Sequence, residues 1–110
     1  MTRPTLPTIT PVELSRLLIE GPVPVVIDVR EPYEWDFARL GIAKLVPLGV
    51  IADQLETLDR RSDIIVYCHH GVRSHMAGEM LLEAGFERVR NLVGGIDRWS
   101  REVDPTIPRY

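Results

Sequence analysis

Two short runs of β-branched residues constrain this chain more than anything else in it. Val25-Val26-Ile27 and Ile64-Ile65-Val66-Tyr67 are continuously apolar and too short for a helix, and each stops at a polar residue, Asp28 in the first case and Cys68 in the second. A strand that is apolar at every position is buried on both faces, the condition of a parallel sheet covered by helices. The segments between supply those helices. Thr10-Pro11-Val12-Glu13 combines a capping hydroxyl, a proline at the first helical position and a carboxylate three residues after the cap, and Leu14, Leu17 and Leu18 follow on one face until Gly21. Ile51, Leu55 and Leu58 recur at helical spacing and predict an amphipathic helix closed by Asp59-Arg60-Arg61-Ser62. A third helix is expected from about Arg73 or Ser74 to Ala84, with Ala77, Met80, Leu81 and Ala84 inward and Gly85 as its cap. A fourth follows Gly94-Gly95 and carries Ile96 and Trp99, the latter read as core. Smaller features are a turn and short helix within Glu31 to Arg39, an extended stretch at Lys44 to Pro47 and a last strand at Val89 to Leu92.

This alternation gives an α/β fold class, a central parallel β-sheet with helices on both faces. The 110 residues show no repeat, low-complexity tract or linker, so 1–110 reads as one domain with an extended tail over about 103–110. Composition serves to exclude. Thirteen Lys and Arg against sixteen Asp and Glu leave a formal charge of −3, which offers no blanket attraction to nucleic acid or to an anionic membrane. No apolar run approaches the roughly 20 residues that cross a bilayer as a helix. Met1 to Pro11 holds three prolines and no apolar h-region, so no secretory signal is expected and a cytoplasmic location is the default. The single cysteine, Cys68, forms neither an internal disulfide nor a four-thiolate zinc site.

Open parallel sheets bind ligands beyond the carboxyl ends of their strands, where Asp28 and Cys68 both lie. The segment Cys68-His69-His70-Gly71-Val72-Arg73-Ser74 runs from a strand end to a helix start. A free cysteine is only about 3% thiolate at neutral pH, and a helix N-terminus with a nearby cation raises that share. Gly71 permits a positive φ, so that successive N–H groups can form an anion-binding nest around the sulfur, with Arg73 as a fixed charge at its rim. A lone cysteine after Tyr67 is by itself a packing residue; the Gly71 and Arg73 context favours a nucleophile.

This loop, together with Asp28-Val29-Arg30-Glu31-Pro32 and Asn91-Leu92-Val93-Gly94-Gly95-Ile96-Asp97-Arg98-Trp99, resembles the single-domain rhodaneses over nearly the whole chain. The resemblance implies a sulfurtransferase in which Cys68 accepts a sulfane sulfur from a small anionic donor such as thiosulfate, becomes a persulfide, and passes the sulfur to cyanide or a thiol. It implies no metal or organic cofactor. Arg73 would hold the oxyanion end of the donor, His69, His70, Gly71 and Val72 would wall the pocket, and Ser74 would complete the binding loop. The chain departs from the family at Arg39-Leu40-Gly41-Ile42-Ala43, where many relatives have His-Ile-Pro-Gly-Ala.

Other readings stand beside this one. Asp28 and Arg30 either touch the active loop or form a structural ion pair, the latter slightly favoured. Tyr33, Trp35 and Phe37 either line an acceptor site or are partial core with an exposed partner between them, and Arg60-Arg61 is a solvated helix end. A phosphatase or arsenate reductase on the same fold would use Cys-x5-Arg, whereas only four residues separate Cys68 from Arg73, a tighter nest. A non-enzymatic binding module would not need the cysteine. A persulfide relay to a sulfur-carrier protein is favoured by the chain's end, Glu102 to Tyr110, which resembles rhodanese modules attached to carrier-activating enzymes.

Overall fold

The structure, a computed structural model, describes residues 5–110; the expectation about export drawn from Met1 to Pro11 lies partly outside the described residues. The elements in chain order are β1 (Thr8–Ile9), α1 (Pro11–Glu20), β2 (Val25–Asp28), α2 (Pro32–Phe37), β3 (Lys44–Leu45), a 3-10 helix (Leu48–Thr57), β4 (Asp63–Tyr67), α3 (Val72–Glu83), β5 (Arg88–Leu92) and α4 (Gly95–Glu102). The five strands form one sheet in the order β1-β5-β4-β2-β3, every pairing parallel. The α/β architecture expected from the apolar runs is the observed one.

Side chains alternate across the strands with period two and so build two cores. Ile64 and Val66 of β4 and Ile27 of β2 pack with Ile51, Ala77, Leu81, Phe86 and Cys68 on the α3 side. Ile65, Tyr67 and Val26 pack with Leu14, Leu92, Ile96 and Trp99 on the side of α1 and α4. Cys68 thus inherits its side of the sheet from the alternation of β4. The register places Asp28 opposite Tyr67, so the loops after β2 and β4 leave the sheet level with one another.

Helix α1 starts as its capping box predicts: Glu13 N–H donates to Thr10 Oγ1 at 3.1 Å and Thr10 N–H to Glu13 Oε1 at 2.9 Å. Losing such a cap costs about 1 kcal/mol. The segment read as an amphipathic α-helix is instead a 3-10 helix over Leu48–Thr57. Its tighter winding aligns residues three apart, which keeps Leu48 with Ile51 and Leu55 with Leu58 against the core. Strand β1 was not foreseen, because two residues between Pro7 and Pro11 carry no periodicity. The tail is not simply extended: Asp104 Oδ1 accepts from Thr106 N–H at 3.1 Å, an Asx turn that folds the following residues back. Ser100 Oγ then donates to Ile107 C=O at 2.5 Å. Arg60 is exposed, as expected, and its Nε–H donates to Ala84 C=O at 2.9 Å at the end of α3. Among the described residues no helix is long and apolar enough to cross a membrane.

Candidate active site

Cys68 follows β4 directly and is 1% exposed. The chain turns at Gly71, whose φ of +113° lies in the region that favours glycine, and α3 begins immediately after it. Gly71 N–H donates to Cys68 Sγ at 3.1 Å and Ser74 N–H at 3.4 Å. The Ser74 hydroxyl lies 3.3 Å from the same sulfur. The first turn of α3 therefore faces Sγ with its free amides, an arrangement that favours negative charge on sulfur.

The loop's carbonyls are tied elsewhere. Cys68 C=O accepts from Ile96 N–H at 2.9 Å and His69 C=O from Asp97 N–H at 3.1 Å, both in the first turn of α4. That approach requires glycine at position 95, because a β-carbon there would collide with both carbonyl oxygens. Gly71 C=O accepts from Asn91 Nδ2 at 3.0 Å, and the Ser74 hydroxyl donates to Asn91 Oδ1 at 2.6 Å. Asn91, buried at the end of β5, so fixes both ends of the Gly71–Ser74 turn.

His69 and His70 stack with ring centroids 3.9 Å apart, and Tyr110 stacks on His69 at 3.9 Å and 8°. Burial, aided by the neighbouring His70, holds the His69 imidazole below its usual pKa and favours the neutral ring. Val72 is 74% exposed and, with His70, Met76 and Val93, lines an open groove of about 500 Å³ beside the loop. Among the described residues no three His, Cys, Asp or Glu side chains cluster as a metal site.

Arg73, expected free at the rim, is engaged. Its Nη1 and Nη2 donate to Glu34 Oε1 and Oε2 at 2.6 and 3.0 Å, a bidentate pair in which Glu34 is buried. These bonds, joined by one from Tyr110, pull the Glu34 carboxyl down to about 2. Asp28 and Arg30 form the structural ion pair, at 2.7 Å and fully buried. Arg30 spends its donors on Asp28, the carbonyls of Glu34 and Ala38, and the Tyr110 hydroxyl. The Tyr67 hydroxyl donates to Asp28 Oδ2 at 2.8 Å, and burial with that carboxylate pushes the phenol above its usual range.

Tyr33 and Phe37 are exposed while Trp35 is half-buried under Arg39, the reverse of an exposed residue between two core aromatics. The reason is that α2 is helical, so residues four apart share a face and the middle one points away. Glu34, Asn91, Gly95 and Tyr110 were not singled out as site residues. Asn91 had a signal, as the only asparagine of the sequence; Tyr110 had none, lying 76 positions from the Glu34 carboxylate it bonds.

Comparison with known proteins agrees with this geometry. A family model described as "Rhodanese-like domain" matches residues 10–102. The chain is 37% identical over 105 residues to the "Probable adenylyltransferase/sulfurtransferase MoeZ" of Mycobacterium tuberculosis, covering 94% of this chain and 27% of that protein. The chain thus spans little more than a quarter of the length of that relative. It is 31% identical over 94 residues to a "Sulfurtransferase" of Allochromatium vinosum, covering 86% of this chain and 88% of that one. Among solved structures, a rhodanese-like domain protein from Staphylococcus aureus superposes with a TM-score of 0.83 at 28% identity, over 96% of this chain and 99% of that one.

Proposed function

The chain belongs to the rhodanese-like sulfurtransferases, and from that premise we propose that Cys68 is the sulfur-carrying nucleophile of a two-step transfer. In the first step the Cys68 thiolate attacks the outer sulfur of an anionic donor, thiosulfate or another sulfane-sulfur carrier. An Sγ–S bond forms, the donor's S–S bond breaks, and the leaving group, sulfite in the case of thiosulfate, departs with the bonding electron pair. In the second step an acceptor, a thiol or cyanide, attacks the outer sulfur of the Cys68 persulfide, and Cys68 leaves as thiolate. The two steps need no external oxidant or reductant.

The observation that carries this reading is the convergence of the Gly71 and Ser74 amides on a single sulfur atom. Such donors stabilise the thiolate, and after loading they serve the persulfide in the same place. His69, His70 and Val72 wall the approach to that atom. A relay to a sulfur-carrier protein is the second reading, supported by the likeness to a protein named for both adenylyl and sulfur transfer. Cyanide would then be an artificial acceptor.

The test is intact-mass measurement after incubation with thiosulfate or a persulfide donor. The expected result is a gain of one sulfur atom that cyanide removes and that Cys68→Ser lacks. Full activity in Cys68→Ser overturns the proposal.

A further inference from the structure

Both arginines that reach the site are already paired. The Glu34 carboxylate offers four lone-pair positions and receives four donors. They are Arg73 Nη1 at 2.6 Å, Arg73 Nη2 at 3.0 Å, the Tyr110 hydroxyl at 2.6 Å and Glu31 N–H at 3.2 Å. The arrangement is held from outside as well. Tyr110 accepts from Arg30 Nη1 at 2.7 Å, lies flat on His69 and meets Phe37 edge-on at 5.7 Å. The turn that delivers it is pinned by Arg109 to Asp97 at 2.9 Å. The planar fork of Arg73, the part of an arginine that grips an oxyanion, is therefore turned onto Glu34, and its charge is offset there.

What still faces the reacting atom is the pair of Gly71 and Ser74 amides, donors suited to one negative charge on sulfur, with the Ser74 hydroxyl nearby but donating to Asn91. Thiosulfate brings further charge on its sulfonate oxygens, beyond the transferred sulfur, and that charge needs a cation of its own. An alkyl persulfide brings no such remote charge. Exposed Val72 and Met76 line the mouth together with the exposed imidazoles of His70 and His75, the latter facing Glu79 at 3.3 Å.

Resting on the reading of Cys68 as sulfur carrier, we infer that Glu34, locked in place by Tyr110, sets the donor class: by occupying Arg73 it turns the site from small sulfur dianions toward sulfur borne on an organic thiol. In the transfer the Cys68 thiolate attacks the outer sulfur of R–S–SH. An Sγ–S bond forms, the donor's S–S bond breaks, and R–S⁻ leaves with the electron pair while the proton stays on the transferred sulfur. A small thiol and a protein cysteine share this chemistry.

The experiment measures the second-order rate of Cys68 loading, by intact mass, from three donors. These are thiosulfate, the persulfide of N-acetylcysteine methyl ester, and a cysteine persulfide in a short peptide, the last two with no charge beyond the S–SH group itself. Glu34→Gln weakens the hold on Arg73 and is expected to raise the thiosulfate rate, relative to either persulfide, by about 10- to 100-fold, the worth of one charge-assisted contact. Tyr110→Phe should move the ratio the same way by less. The wild type provides a check that needs no variant. With Arg73 neutralised, its thiosulfate rate should stay flat or rise as ionic strength goes from about 0.02 to about 0.5 M, because screening relieves the repulsion between thiolate and dianion. A steep fall with salt, or an unchanged donor ratio in Glu34→Gln, overturns the inference while leaving the sulfurtransferase reading intact. Failure of all three donors to load Cys68 overturns both. The faster of the two persulfides, either of which satisfies the inference, distinguishes a small-molecule source from a protein one.

Discussion

Two loops leave the sheet side by side, after β2 and after β4, and each begins with a polar residue at the end of an apolar strand. The first is closed. Arg30 and Asp28 are fully buried, and the guanidinium's donors all end on acceptors within the protein. The second is open in the chemical sense: the Cys68 sulfur holds three contacts of 3.1 to 3.4 Å. All three come from neutral groups, whereas Arg30 is tied to the Asp28 carboxylate and the Ala38 carbonyl at 2.6 to 2.7 Å. A charged residue after a buried strand is thus no mark of chemistry. The mark is a set of donors converging on one atom that has not exhausted its capacity.

The comparison is broken most directly at Arg30. Arg30→Ala leaves the Asp28 carboxylate buried without its partner and should cost about 3–5 kcal/mol, read as a lower urea midpoint. Sulfur loading per folded molecule should fall far less. A variant of native stability that no longer loads sulfur would move the first loop into the active site. The next effect in size is acid sensitivity, which belongs to the bridge between the loops. Glu34 ionises near about 2 in the folded protein against 4.5 as a free side chain, so between these values the unfolded state binds more protons. Its contribution is full above about 4.5 and drains as pH falls toward 2. Melting temperature against pH should therefore drop less steeply over that window in Glu34→Gln than in the wild type. Equal slopes would mean that the Arg73 pair adds nothing to folding. The smallest effect sharpens the second loop. Asn91→Ala frees the Gly71 carbonyl and the Ser74 hydroxyl and should cost about 1–2 kcal/mol. Because the freed groups position the amides on Sγ, Cys68 loading should slow as well, and a loss of stability with unchanged loading would limit Asn91 to scaffolding.

The strands other than β1, the start of α1 and the cysteine loop were legible because each rests on local physics. Val25 to Ile27 and Ile64 to Tyr67 announce burial by composition, and Thr10 to Glu13 announces a cap by spacing. The 3-10 winding of Leu48–Thr57 was not legible, since leucines at three and four apart satisfy either helix. Nor was the engagement of Arg73, because its partner lies 39 residues earlier, on α2. The aromatic order on α2 was misread although a short helix was expected there: the period of two was applied to residues whose facing the helix sets.

The bonds from α4 to the loop carry an evolutionary consequence. Widening Cys-x4-Arg to Cys-x5-Arg, the spacing expected of a phosphatase on this fold, takes only one inserted codon. Here the inserted residue would have to enter a segment whose Cys68 and His69 carbonyls are held by Ile96 and Asp97, and whose Gly71 carbonyl is held by Asn91. Displacing any of them strands a backbone oxygen and an amide together, and the glycine at 95 leaves no side chain to fill the gap. An insertion in this chain is therefore expected to need a compensating change at the start of α4.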